Sequence, residues 1–317
     1  MRFAPLTLAL MTMIPRAAVA QADPEPAGAA GSWTWVAADS APERRFRLFI
    51  PANVQPGAPL VILLHGCTQD PDDLARGTRF NVAAAERGVV VAYPEQDAAH
   101  NPLKCWNWFV PAHQGADGEP GLIAGIARQV MAQHDIDPAR VYVGGISPGG
   151  SMALNVVVAS GDLFAAVGSH SGIAYRAAED MASALTVMRG EDIGIPPLIA
   201  AVSEMSIEGH RPPLFAIQGE SDAVVSPKNL ALMFLQWSTV FGAGTTRDDS
   251  LQVGGRTAVR TRLTQSDGSI PVEVWRVLGL GHAWSGGAPE GTYTDPAGPD
   301  ASRLMLEFFL SHPMVKD

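Results

Sequence analysis

Cysteine is scarce in this 317-residue chain, with only Cys67 and Cys105 present. Neither belongs to a C-x-x-C pair, and no histidine cluster accompanies them. A zinc framework is therefore not expected. Runs of basic residues are missing too. Lys and Arg number 22 against 32 Asp and Glu, a formal charge of −10. Nothing in the chain offers the positive footprint that a nucleic acid needs, and the acidic balance speaks for solubility. Internal repeats are absent, as is any linker to a second domain. The uncharged, mostly apolar stretch near the start, "FAPLTLALMTMI" (3–14), is too short to span a bilayer as a helix.

That stretch has another meaning. Arg2 precedes it and the small-x-small triplet "AVA" (18–20) follows it, which together read as a signal peptide over 1–20. Export implies a secreted or periplasmic protein, with no membrane contact after cleavage. "QADPEPAGAAG" (21–31) reads as a disordered leader. In an exported protein, an even pair of cysteines suggests a disulfide.

Hydrophobic residues make up 47% of the chain, enough to bury a core. Short β-branched runs alternate with helix-like segments, the pattern of a mostly parallel sheet flanked by helices. "LVILLHG" (60–66), "GVVVAYPE" (88–95), "RVYVGGI" (140–146), "LFAAVGSHSG" (163–172), "PLFAIQGESD" (213–222) and "VEVWRVLGLGH" (272–282) read as strands with their following loops. "GLIAGIARQVMAQH" (121–134) and "GGSMALNVVVAS" (149–160) read as helices. A closing helix is expected in 298–312, with Asp300 as its N-cap. Residues 173–211 are irregular and form a candidate cap, within a single α/β domain over 32–317.

Between a strand and a helix stands "VYVGGISPGGSMAL" (141–154), in which Ser147 lies between Gly145 and Gly149. G-x-S-x-G in that setting is a nucleophile elbow, a turn sharp enough to expose the serine hydroxyl above the sheet. Such a serine needs a base and the base needs an orienting acid, in the chain order Ser, acid, His. Only His282 and His312 follow the candidate acids. His282 lies in "GLGHAWSGG", a glycine-rich loop after a strand, and is the stronger choice. Glu220 and Asp222 in "AIQGESDAVV" (216–225) both suit the acid. The oxyanion hole takes one donor from the loop after an early strand, here "HGCTQ" (65–69), with Cys67 N–H the candidate and His65 a structural hydrogen-bonder.

The second donor is usually the N–H of the residue after the nucleophile. That residue is Pro148, which has none. Proline suits the first turn of a helix, yet loss of one oxyanion donor typically costs ~10²–10³ in rate. Three answers stand: Cys67 acts alone, Gly149 N–H or the Thr68 side chain substitutes, or the enzyme is weakened.

Four blocks in order, "LLHGCTQ", "CWNWF" (105–109), "GGISPGGSMA" and "GLGHAWSGG", resemble the extracellular polyhydroxybutyrate depolymerase-type esterases. The blocks are also similar to feruloyl and acetylxylan esterases of the α/β-hydrolase fold. The likeness runs from "RLFIPANV" (47–54) to "TDPAGPDASRLMLEFFLSHP" (294–313). It implies Ser147 as nucleophile, His282 as base, and Asp222 rather than Glu220 as acid, in the frame Gly219, Asp222, Val225. It implies a Cys67–Cys105 disulfide that pins the donor loop, and Trp284 and Trp106 on the substrate cleft. Gln218 stands where the family often has histidine. The expected activity is hydrolysis of polyester or 3-hydroxybutyrate oligomer esters with no metal or organic cofactor. An acylated plant-wall polysaccharide is the alternative substrate, and a non-catalytic relic the alternative class.

Overall fold

A computed structural model describes residues 23–191, 194, 199–202 and 209–315. Ten strands form one sheet. In chain order they are β1 (Gly31–Ala38), β2 (Ala41–Pro51), β3 (Ala58–Leu64), β4 (Val90–Pro94), β5 (Ile136–Ile146), β6 (Ala166–His170), β7 (Leu214–Gly219), β8 (Thr245–Val253), β9 (Arg256–Thr264) and β10 (Val272–Val277). Their spatial order is β1-β2-β4-β3-β5-β6-β7-β10-β9-β8. The six central strands pair in parallel. An antiparallel hairpin closes each edge, β1–β2 on one side and β8–β9 on the other.

The central strands are apolar on both faces because helices cover both faces. Every residue of β3, β4, β6 and β7 is buried. The helices are α1 (Pro71–Thr78), α2 (Phe80–Ala85), α3 (Glu119–Gln133), α4 (Pro148–Ala159), α5 (Met181–Met188), α6 (Lys228–Phe241) and α7 (Ala301–Ser311). One core, on the α3, α4 and α6 face, contains Leu60, Ile62, Val143, Leu154 and Trp237. The other contains Val61, Leu63, Tyr142, Phe215 and Phe309 beneath α2 and α7. The expected N-cap of α7 is in place, with Arg303 N–H donating to Asp300 Oδ1 at 3.0 Å.

Three expectations need correction or restriction. The segment from Asp23 to Ala30 is tied to the body. Asp23 bridges Trp33 and pairs with Arg47, while Glu25 accepts from Ala27 N–H, Ala29 N–H and the Asn81 amide. Two acids that look solvated in sequence are thus held by partners far along the chain. The 1–20 signal-peptide reading lies outside the described residues. Of the candidate cap, the described part carries α5, docked through Ser226 N–H to Met188 O at 2.7 Å and the Asn229 amide to Val187 O at 3.0 Å.

Candidate active site

Strand β5 ends at Ile146, and α4 begins at Pro148. Between them Ser147 adopts φ 56°, ψ −122°, a backbone that L-residues rarely hold. Tight packing enforces the turn. A Cβ on Gly145 would meet Leu64 O at 2.6 Å, and one on Gly149 would meet Leu64 O at 2.4 Å and His65 O at 2.6 Å. The glycines therefore let the elbow sink against the end of β3. Ser147 N–H donates to His170 O at 2.8 Å, which ties the elbow to β6.

Two loops bring the remaining groups to the elbow. The turn after β7 carries Asp222 and the loop after β10 carries His282. His282 Nε2 lies 2.9 Å from Ser147 Oγ, and His282 Nδ1 lies 2.8 Å from Asp222 Oδ2. Asp222 Oδ1 accepts from Val224 N–H at 2.9 Å and Val225 N–H at 2.8 Å. Burial alone would raise the Asp222 carboxyl. The His282 hydrogen bond and charge and the two backbone donors outweigh it, holding the acid below its ordinary range. Glu220 instead points outward to Arg276 at 2.8 Å. His312 is held at the far end of α7, bonded to Ile270 O and Phe308 O.

Gln218, which stands where the family often has histidine, touches the acid. Its amide donates to Val225 O at 2.6 Å and to Asp222 Oδ2 at 3.3 Å. The side chain thus fastens the acid turn from inside the sheet.

On the opposite side lies the loop after β3. Cys67 and Cys105 form a disulfide with Cα atoms 4.2 Å apart. Thr68 N–H donates to Leu103 O at 2.7 Å, a second clamp between the same two loops. Among the described residues, Cys67 N–H has no hydrogen-bond partner. The Thr68 hydroxyl, one suggested substitute donor, already directs its proton to Cys67 O at 2.6 Å. Gly149 is the second residue of α4, within the first turn whose N–H groups the helix itself leaves unused.

The tryptophan expectation is corrected. Trp106 and Trp284 are 0% and 1% exposed, so neither offers a face to an open cleft. Trp284 stacks on His170 with centroids 4.9 Å apart and donates its indole N–H to Ser302 Oγ at 3.1 Å. Trp106 packs against His65. Burying an indole removes a large apolar area from water, and that packing demand decided their place.

Tyr293 lies at the site unforeseen. Its ring stands edge-on to His282, centroids 6.2 Å apart at 77°, and is 43% exposed. Its hydroxyl is 3.1 Å from Thr68 Oγ. Nothing local in "GTYTDP" announces this position, because the approach is made by residues 225 positions apart.

Two buried histidines frame the site as neutral acceptors. His65 Nδ1 donates to Gly66 O at 2.8 Å, and Nε2 accepts from Gln96 N–H at 3.0 Å. His170 Nε2 accepts from Ser285 N–H at 3.1 Å. Burial pushes His65 down to about 4. Burial, helped by the nearby His282, pushes His170 down to about 3. His170 therefore joins the elbow, through its carbonyl, to the base loop, through its ring.

A parallel sheet with a serine at a strand–helix elbow and His and Asp from later strand ends is the α/β-hydrolase fold. The acetyl xylan esterase of Aspergillus awamori superposes with a TM-score of 0.67 over 80% of this chain and 94% of that one, at 21% identity. A family model described as esterase PHB depolymerase matches residues 45–254, and the chain belongs to that family. Poly(3-hydroxyalkanoate) depolymerase C of Paucimonas lemoignei is 31% identical over 254 residues, which span 78% of this chain and 58% of that protein. Feruloyl esterase B of Neurospora crassa is 27% identical over 278 residues, 84% of this chain and 87% of that one. The chain thus spans about three-fifths of the length of the depolymerase it matches.

Proposed function

We propose that the protein is an exported serine esterase that hydrolyses polyhydroxyalkanoate or 3-hydroxybutyrate oligomer esters through an acyl-enzyme. One observation carries this reading: the continuous relay from Ser147 Oγ through His282 to Asp222, at 2.9 and 2.8 Å, on a strained elbow. His282 Nε2 takes the Ser147 proton as Oγ forms a bond to the ester carbonyl carbon. The carbonyl oxygen becomes an oxyanion facing Cys67 N–H. As the tetrahedral species collapses, the ester C–O bond breaks and the alcohol leaves with the proton from His282. Water then adds to the acyl-enzyme, its proton going to His282. Collapse returns that proton to Ser147 Oγ and frees the carboxylic acid. Asp222, kept ionised, holds the imidazole with Nδ1–H inward and stabilises its charged form.

The surroundings of the relay favour an apolar polyester over a polysaccharide. Leu103, beside the Cys67 loop, and Val224, two residues beyond Asp222, are exposed at 63% and 48%. With Tyr293 they give the site an apolar border. Similarity to the N. crassa feruloyl esterase supports a second reading, acyl esters on polysaccharide. The disulfide between Cys67 and Cys105 supports an oxidising compartment outside the cytoplasm.

The test pairs labelling with turnover. A fluorophosphonate should label Ser147, and Ser147→Ala should abolish both labelling and hydrolysis. Turnover is then compared on 3-hydroxybutyrate oligomers, polymer granules, a feruloyl ester and acetylated xylan, with Ser147→Ala as blank. The oligomer esters should be preferred. Turnover that survives Ser147→Ala would sink the assignment, and preference for the xylan or feruloyl ester would move it to the second reading.

A further inference from the structure

We propose that the Tyr293 phenol is the second oxyanion donor, taking the place of the N–H that Pro148 lacks. The proposal rests on the serine esterase reading above.

Position is the first argument. The Tyr293 ring stands against His282, while its hydroxyl reaches Thr68, the neighbour of Cys67. The phenol therefore spans the triad from the base side to the oxyanion side. Its backbone is anchored on both. Trp284 N–H donates to Tyr293 O at 2.7 Å, which fixes it to the base loop. Gln69 fixes it to the donor loop, since its carbonyl accepts from Gly66 N–H at 2.9 Å while its amide donates to Thr292 O at 3.2 Å.

Proton inventory is the second argument. Thr68 has one hydroxyl proton, directed to Cys67 O at 2.6 Å. At the 3.1 Å contact with Thr68 Oγ, Tyr293 is therefore the donor. A phenol proton turns about a single C–O bond. When an oxyanion forms beside it, rotation about that bond can turn the proton from the neutral Thr68 oxygen to the charged one, and hydrogen bonds to charge are the stronger kind.

Strain is the third. Thr68 and Tyr293 hold φ of 63° and 52°, left-handed backbone that β-branched and aromatic residues seldom adopt. Residues in such conformations cluster where geometry serves function. Here the two strained residues meet each other, hydroxyl to hydroxyl, beside a nucleophile that is itself at φ 56°. Pro148 removes one donor, and the Tyr293 hydroxyl stands beside the loop that carries the other, Cys67 N–H.

A double-mutant cycle between Tyr293 and Pro148 tests the proposal on a small activated ester. Tyr293→Phe keeps the ring and should lower kcat on the order of 100-fold, with KM little changed. Pro148→Ala restores a backbone N–H and should raise kcat by a few-fold. In the Pro148→Ala background, Tyr293→Phe should lower kcat by less than about tenfold, because the restored N–H covers the loss. A boronic acid, whose serine adduct carries a negative oxygen, should bind Tyr293→Phe more weakly by a similar factor, a reading that needs no turnover. An unchanged kcat in Tyr293→Phe, or the same loss in both backgrounds, would overturn the donor role. Fluorophosphonate labelling of Ser147 is followed in every variant. Labelling retained throughout with no Tyr293 effect rejects this proposal alone, whereas no labelling of the parent protein rejects the esterase reading beneath it.

Discussion

Gly149 shows how closely a single residue governs the elbow. Its hydrogen faces the carbonyls of Leu64 and His65, backbone that cannot swing aside as a side chain would. A methyl at 2.4 Å from Leu64 O must push α4 away from β3 or tilt the turn. Gly149→Ala should therefore destabilise the protein by about 1–3 kcal/mol, the range for overpacking a filled site. It should also lower kcat, because Ser147 Oγ leaves its 2.9 Å contact with His282. Thermal melting and single-turnover acylation measure the two effects, and an alanine variant with wild-type melting would refute the packing argument. The same scale shows what a sequence can convey. Ser147 and His282 sit in motifs whose setting reflects chemistry, so they are visible without coordinates, whereas Asp222 stands level with Glu220 until the family resemblance separates them. The aspect that misled for Trp106 and Trp284 is exposure, which depends on what packs over a side chain from elsewhere. Tyr293 escaped for a related reason, since its partner Thr68 lies 225 positions away.

At the scale of elements, the donor loop after β3 is held less by the sheet than by a cross-link. Cys67 joins it to the 101–109 segment, and Thr68 N–H to Leu103 O repeats the link one residue on from Cys67 and two before Cys105. The bridge closes a loop of 38 positions. Chain-entropy arguments give such a closure about 4 kcal/mol of stability. Cys105→Ser, or reduction of the native bond, should lower the urea midpoint accordingly. It should also reduce kcat more than substrate binding, because the Cys67 N–H is then less firmly aimed at the oxyanion. If reduced protein kept full kcat while losing stability, the disulfide would serve the fold alone. Element legibility divides along the sheet. The buried parallel strands are near-continuous apolar runs, and α3, α4 and α7 carry helical spacing or a clear N-cap, so these were readable. The edge hairpins were not. In β8 most side chains face solvent, and Asp249 pairs with Arg247 along its own strand and with Arg260 and Arg262 across the β8–β9 ladder. Cross-strand charge pairing of that kind leaves no alternating apolar signature.

For the whole molecule, the two buried histidines set how the fold meets acid. Each uses Nε2 to accept a backbone N–H, from Gln96 for His65 and from Ser285 for His170. A protonated ring cannot accept, so the folded protein binds neutral imidazole. Unfolded histidine titrates near 6.5, while burial holds His65 down to about 4 and His170 down to about 3. Near pH 5, about midway between these values, the unfolded chain therefore binds almost two more protons than the folded one through these rings, and about one more at pH 6.5. Stability rises with pH wherever the unfolded state holds more protons. The contribution is complete above the unfolded value and is lost as pH falls toward the folded values. The slope from this pair is on the order of 2–3 kcal/mol per pH unit at its steepest. Asp222 has the same sign in a lower window. Its depressed acid contributes stability above the ordinary carboxyl range and loses it only as pH falls through the folded value. Urea unfolding across pH 4–8 should show a plateau above about 7 and a steep decline below 6. His65→Gln, which can accept one hydrogen bond without titrating, should roughly halve the slope between 6 and 4.5. A slope unchanged in that variant would show that His65 is not held neutral. His170 makes the acid limit more than a matter of folding. Its ring holds the base loop through Ser285 and its carbonyl holds the elbow through Ser147. Charging it breaks the tie between nucleophile and base, so acid unfolding should dismantle the relay as well, and no fluorophosphonate labelling of Ser147 should persist once the unfolding signal has fallen; labelling that outlasted unfolding would refute the tie.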